Sequence, residues 1–122
     1  MMFIILLLAT VIPINGYVMT HYLQVGQPGK IDDGYKADAI SHLTLDGHLY
    51  IMQLKGEEAG YWKENGTGPR LNSTNYKIRG DGYLQILAVD QATAGFYAKY
   101  PNENLPGTMS QVVVIPSSFT LP

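Results

Sequence analysis

The chain has 122 residues, one domain at most. Its formal net charge is −2, with 15% charged residues and no long run of either sign, so nucleic acid and anionic membrane are poor partners. There is no cysteine, which excludes a disulfide scaffold, zinc–cysteine sites and thiol chemistry.

Residues Phe3 to Ile12 read FIILLLATVI, an apolar run without charge. Spanning a bilayer takes about 20 such residues, so the run fits the core of a secretory signal better. Pro13 ends it, and Gly16 supplies a small residue at a cleavage point. A signal peptide over 1–16 predicts a secreted, extracellular protein; an uncleaved anchor and a buried strand are the competing readings. No second apolar run follows, and the C-terminal VVVIPSSFTLP is too short and polar for a lipid-anchor signal, so no stable membrane anchor is expected.

Residues 17–38 read as an N-terminal leader. Gly, Pro and Asp crowd VGQPGKIDD, and the preceding YVMTHYLQV offers an edge strand. Strand signals dominate from Ala39. AISHLTL alternates up to Asp46-Gly47, a strong turn pair, and HLYIMQLKG follows. Tyr61 to Glu64 is short and strand-like, closed by Asn65-Gly66. TNYKIR, YLQILAV, FYAKY and MSQVVVI complete the set, separated by GDG, DQATAG and PNENLPG. Roughly seven short strands, with turns about every 8–12 residues and no helical periodicity, predict an all-β sandwich or barrel over 39–116, with a tail over 117–122.

The segment YKIRGDGYLQILAVDQATAGFY, Tyr76 to Tyr97, resembles the signature of strands D, E and F in the immunoglobulin superfamily. Leu84, Ile86 and Val89 fill its apolar positions, and Gly95 and Tyr97 its G-x-Y corner. Leu84 and Ile86 lie two apart and share a strand face. The resemblance implies a tyrosine corner at Tyr97 and an immunoglobulin-like β-sandwich of about seven antiparallel strands. YWKENG resembles the strand-C pattern in which a tryptophan, here Trp62, packs at the centre. Tyr50, Met52 and Leu54 look like the inward positions of strand B. On this reading Trp62, Leu84, Ile86, Val89, Gly95 and Tyr97 form the core.

Two departures stand out. Lys99 occupies the place of the strand-F cysteine, either buried and paired, snorkelling outward, or turned out by a bulge. Thr93 replaces the usual corner Asp. Loss of both cysteines is similar to the membrane-distal domains of some carcinoembryonic-antigen-type and signalling-lymphocyte-type receptors. The resemblance is thus to a single secreted domain of I-set or V-frame type without the inter-sheet disulfide.

No nucleophile motif, phosphate-binding glycine loop or HExxH occurs, so the reading is a non-enzyme with no cofactor and no metal. His42 and His48 flank one turn and read as a solvent-facing pair; Asp32-Asp33 and Glu57-Glu58 read as solvated loop charges. Asn65 and Asn72 head N-glycosylation sequons, making the chain a candidate glycoprotein. Arg79-Gly80-Asp81 matches an integrin-binding tripeptide but equally a plain turn. With Trp62 inward, Tyr61 and Lys63 face outward, and Tyr100 on strand F is expected beside them. That patch is the candidate surface for an extracellular or cell-surface protein, or a second copy. Adhesion or signalling modulation and decoy roles fit it. The alternatives are a self-associating structural protein and a hydrolase inhibitor acting through PNENLPG.

Overall fold

The computed structural model describes residues 16–34, 36–80, 83–101 and 107–116. Among the described residues, nine strands follow one another: β1 (Gly16–Gln24), β2 (Gly29–Ile31), β3 (Ala39–Leu43), β4 (Leu49–Gln53), β5 (Trp62–Glu64), β6 (Tyr76–Arg79), β7 (Tyr83–Ile86), β8 (Gly95–Tyr100) and β9 (Gly107–Ile115). One 3-10 turn, Gln91–Thr93, precedes β8. A six-stranded sheet has the order β1-β9-β8-β3-β4-β5, and a three-stranded sheet the order β2-β7-β6. All pairs are antiparallel except β1 with β9, which run parallel over nine residues each.

Alternation explains the layers. Ile40 and His42 on β3, Met52 on β4, Trp62 on β5, Tyr97 on β8 and Val112 on β9 are buried on one face of the large sheet. Ile31, Leu84 and Ile86 from the small sheet, with Val89, meet them. The result is an immunoglobulin-like sandwich. Its small sheet corresponds to strands B, E and D, and β9-β8-β3 to strands G, F and C.

This assignment corrects two expectations. Strand B is β2, three residues long, and not the segment carrying Tyr50, Met52 and Leu54; that segment is β4 and the bend after it. Trp62 is not on strand C but on β5, at the far edge of the large sheet. Strand C is β3, where His42 holds the central inward position, stacked on Tyr97 at 4.1 Å between ring centroids. Residues 17–38 contribute strands to both sheets, through β1 and β2.

The corner before β8 is a closed hydrogen-bond circuit. Asp90 caps the 3-10 turn: its Oδ1 accepts the Thr93 N–H, and its own N–H donates to Thr93 Oγ1. The buried Tyr97 hydroxyl donates to the Thr93 carbonyl at 2.6 Å, and Tyr76 Oη lies 2.9 Å from Tyr97 Oη. Tyr97→Phe leaves the Thr93 carbonyl without this partner, a loss of about 2 kcal/mol. For a domain of this size that is roughly 8–16 °C in melting temperature. A thermal melt that moves by less than about 2 °C would show that the hydroxyl does not hold the corner.

Candidate functional site

The register of the large sheet defines its outer face row by row. Val18, Met109, Ala98, Ser41, Ile51 and Lys63 lie in one line across all six strands. At about 4.8 Å per strand that line is about 24 Å long. The next row is Thr20, Gln111, Phe96, Leu43 and Leu49, and Tyr22 pairs with Val113 beyond it. Lys63 is the single charge in the two rows. Val18, Leu43 and Tyr22 are exposed, Tyr22 to 68%. Large apolar side chains therefore face solvent at β1 and at β3, with half-buried Met109 and Phe96 between them, and in these rows charge is confined to the β5 edge.

At that edge Tyr61 and Lys63 belong to an ordered cluster. Glu58 receives two hydrogen bonds from Arg70, at 3.0 and 2.7 Å, and pairs with Lys63 Nζ at 2.9 Å. The Arg70 guanidinium lies over the Tyr61 ring, 4.5 Å from its centroid. The Arg70 hydrogen bonds first, then that of Lys63, hold the Glu58 carboxyl down at about 2. Glu58 is thus bound into the face and is not a free loop charge. Tyr100, also exposed, does not adjoin this cluster: β3 and β4 separate β8 from β5. The error in strand identity at Trp62 put the two strands side by side. Arg70 and Glu58 carry no sequence signal of their own, since both sit in polar connectors.

Lys99 is exposed at the end of β8, paired in register with the buried Ile40, and Tyr100 after it is also exposed, so burial of Lys99 does not arise. Arg79 Nε donates to Gln85 Oε1 at 2.7 Å; Asp81 lies outside the described residues, as does most of PNENLPG. Asn65 occupies a left-handed turn position with φ 54, followed by Gly66 with φ 81, the pairing of a type I′ turn. Asn72 is exposed, and its Oδ1 accepts both the Thr74 N–H and the Thr74 hydroxyl.

The histidines do not form a solvent-facing pair. His48 is exposed, with Nδ1 3.3 Å from Glu64 Oε2. His42 is 3% exposed and its Nε2 bonds the Ala94 carbonyl at 2.9 Å. The period-2 alternation of AISHL marks His42 as sharing the inward face of Ile40, the signal by which its burial is readable. Among the described residues no group of three or more His, Cys, Asp or Glu is placed to hold a metal ion. Asp33 also differs from a solvated loop charge: it accepts a hydrogen bond from Ser110 Oγ, and burial pushes its carboxyl up.

Burial lowers the His42 pKa, against a smaller opposing effect of the Ala94 hydrogen bond. The folded protein therefore refuses a proton that the unfolded chain accepts near the ordinary value of 6.5. Stability is complete above that value and falls as pH drops below it. Asp33 acts with the opposite sign, because its raised carboxyl takes a proton before the unfolded one does, over a window that opens upward from 3.8. Lowering the pH from about 7.5 to 5.5 should thus lower the melting temperature, and His42→Phe should flatten that slope while keeping the stack on Tyr97. An unchanged slope in the variant would assign the acid sensitivity elsewhere.

No protein family matches the chain, and no curated protein does. Among solved structures, the chain is similar to the extracellular portion of mouse CD200RLa, at 16% identity and a TM-score of 0.44, over 80% of this chain and 56% of that one. It is also similar to domains 3 and 4 of rat CD4, at 10% identity and a TM-score of 0.41, over 80% of this chain and 59% of that one. The chain thus spans just over half the length of each.

Proposed function

We propose that this chain is a secreted immunoglobulin-like recognition domain that binds an extracellular or cell-surface protein through the outer face of its large sheet. The observation that carries this reading is the set of exposed apolar side chains on this face, Val18 and Tyr22 on β1 and Leu43 on β3, with the half-buried Met109 and Phe96 between them. Exposed apolar side chains bordered by ordered charge are a common mark of a protein-binding site. The frame is read as variable-type, because β4 and β5 extend the large sheet beyond strand C. Glycans at Asn65 and Asn72 would sit after β5 and in the connector to β6, leaving strands β1, β9, β8 and β3 open.

The test is a binding screen of the secreted, glycosylated chain against a panel of extracellular domains and against itself. Leu43→Lys places a charge at the β3 end of this surface, at an already exposed position that should not disturb folding. Binding to the partner should be lost with the melting temperature unchanged. Retained binding in both Leu43→Lys and the Tyr61→Ala, Lys63→Ala double variant would remove this face from consideration.

A second reading, self-association, rests on a different feature. β1 is an edge strand of nine residues without Lys, Arg, Asp, Glu or Pro, the residues that ordinarily guard an edge. Dimerisation that survives Leu43→Lys and is lost on Thr20→Pro would favour it.

A further inference from the structure

A cavity of about 390 Å³ opens between the sheets, on the core side of the large sheet and so away from the recognition face. That volume lies within the range of small-molecule sites, about 300–1,000 Å³. His42, Tyr50, Trp62 and Tyr76 give it aromatic walls, and Asp90 and Asn72 are among its polar lining. Trp62 and Tyr76 meet edge to face at 5.3 Å.

Most of the polar groups here are already committed. Asn75 spends both ends of its amide on Ala88. Thr93 Oγ1 is taken up by Asp90, and Asn72 Oδ1 by Thr74. Two groups stand out from this accounting. The indole N–H of Trp62, on a side chain 95% buried from solvent by the residue's 5% exposure, is the one buried side-chain donor without a partner among the described residues. The Asp90 carboxylate, exposed to solvent, uses Oδ1 to accept the Thr93 N–H, and Oδ2 accepts from no side chain among the described residues. No Lys or Arg lines the cavity to neutralise it.

A carboxylate beside several aromatic rings, with no cation present, is the arrangement that recognises organic cations: the charge is met by the acid and the ring faces, and the apolar body by the walls. We propose that the cavity binds a small amine with an aromatic body. Its ammonium would sit at Asp90 and its ring among Tyr50, Trp62 and Tyr76. This site is independent of the sheet-face reading and stands if that reading fails.

Trp62 is the only tryptophan in the chain, so its emission reports on the cavity alone. The purified full chain is titrated with tyramine, with tyrosol as its uncharged counterpart, and with methyl glucoside, exciting on the red edge where tyrosine and the probes do not absorb. Tyramine should give a saturable change, with tyrosol weaker by roughly tenfold, the loss of one charge-assisted hydrogen bond. Asp90→Asn should weaken tyramine by a similar factor and leave tyrosol unaffected. Asparagine caps helical turns as well as aspartate does, so the variant keeps the corner, which an unchanged melting temperature checks. Equal affinity for tyramine and tyrosol, an unaffected Asp90→Asn, saturation by methyl glucoside in place of tyramine, or no saturable change with tyramine would each overturn the proposal.

Discussion

Gly95→Ala should remove a large part of the domain's stability. Gly95 opens β8 with φ 129, a left-handed conformation that L side chains rarely adopt. A Cβ built there would stand 2.2 Å from the Leu43 carbonyl oxygen and 3.1 Å from His42 Nε2. Neither neighbour can yield. The Leu43 backbone belongs to β3 and pairs across to Phe96, and the His42 ring is fixed by its stack on Tyr97 and its bond to Ala94. Backbone strain costs about 1–3 kcal/mol and overpacking a similar amount, so the sum is roughly 2–6 kcal/mol. Small domains have about 5–15 kcal/mol in all, and this one has no disulfide to support it. Gly47→Ala separates the two contributions. Gly47 has φ 91 in the β3–β4 turn with no atom within 4 Å of a built Cβ, so it bears the conformational strain alone. Circular dichroism should show Gly95→Ala melting far below the parent protein and Gly47→Ala only modestly below it. A Gly95→Ala protein melting within a few degrees of Gly47→Ala would mean that the strands part easily at this point.

The same corner shows what a sequence can reveal. Gly95 and Tyr97 lie two apart behind Leu84, Ile86 and Val89, and such local spacing needs no knowledge of partners to be read. The inward alternation of β3 and the turn at Asp46-Gly47 are legible for the same reason. The failure came where three residues suffice. β2 is Gly29-Lys30-Ile31, enclosed by Pro28 and Asp32-Asp33, and a single buried Ile31 against Leu84 makes it a strand. Local chemistry says loop; pairing with β7 overrides it. Without β2 as strand B, the segment after it inherits that role, and Trp62 is displaced from the sheet edge to the centre. The candidate face suffers in turn, because Tyr100 is then set beside Lys63 when two strands lie between. Parallel pairing of β1 with β9 was equally hidden, since its partners are about ninety positions apart and no local pattern links them.

Trp62→Ala should destabilise the protein severely, while Trp62→Phe should be tolerated. Trp62 looks precarious, on a three-residue strand at a sheet edge, but its backbone is held from both sides. β5 pairs with β4 through Met52 on one side. On the other, the Trp62 N–H donates to Ser73 Oγ and its carbonyl accepts the Leu71 N–H, so the connector at 71–73 covers the edge. The indole then fills the space between His42, Tyr76 and Tyr97. Removing it costs about 3–5 kcal/mol in lost contacts and cavity, a large part of the stability of a small domain. Phenylalanine loses some of that area but also removes the buried N–H that has no partner, whose desolvation is worth roughly 1–3 kcal/mol. The two effects oppose, so Trp62→Phe should melt close to the parent protein when followed by circular dichroism. If Trp62→Phe proves nearly as damaging as Trp62→Ala, the indole N–H is engaged in the folded protein.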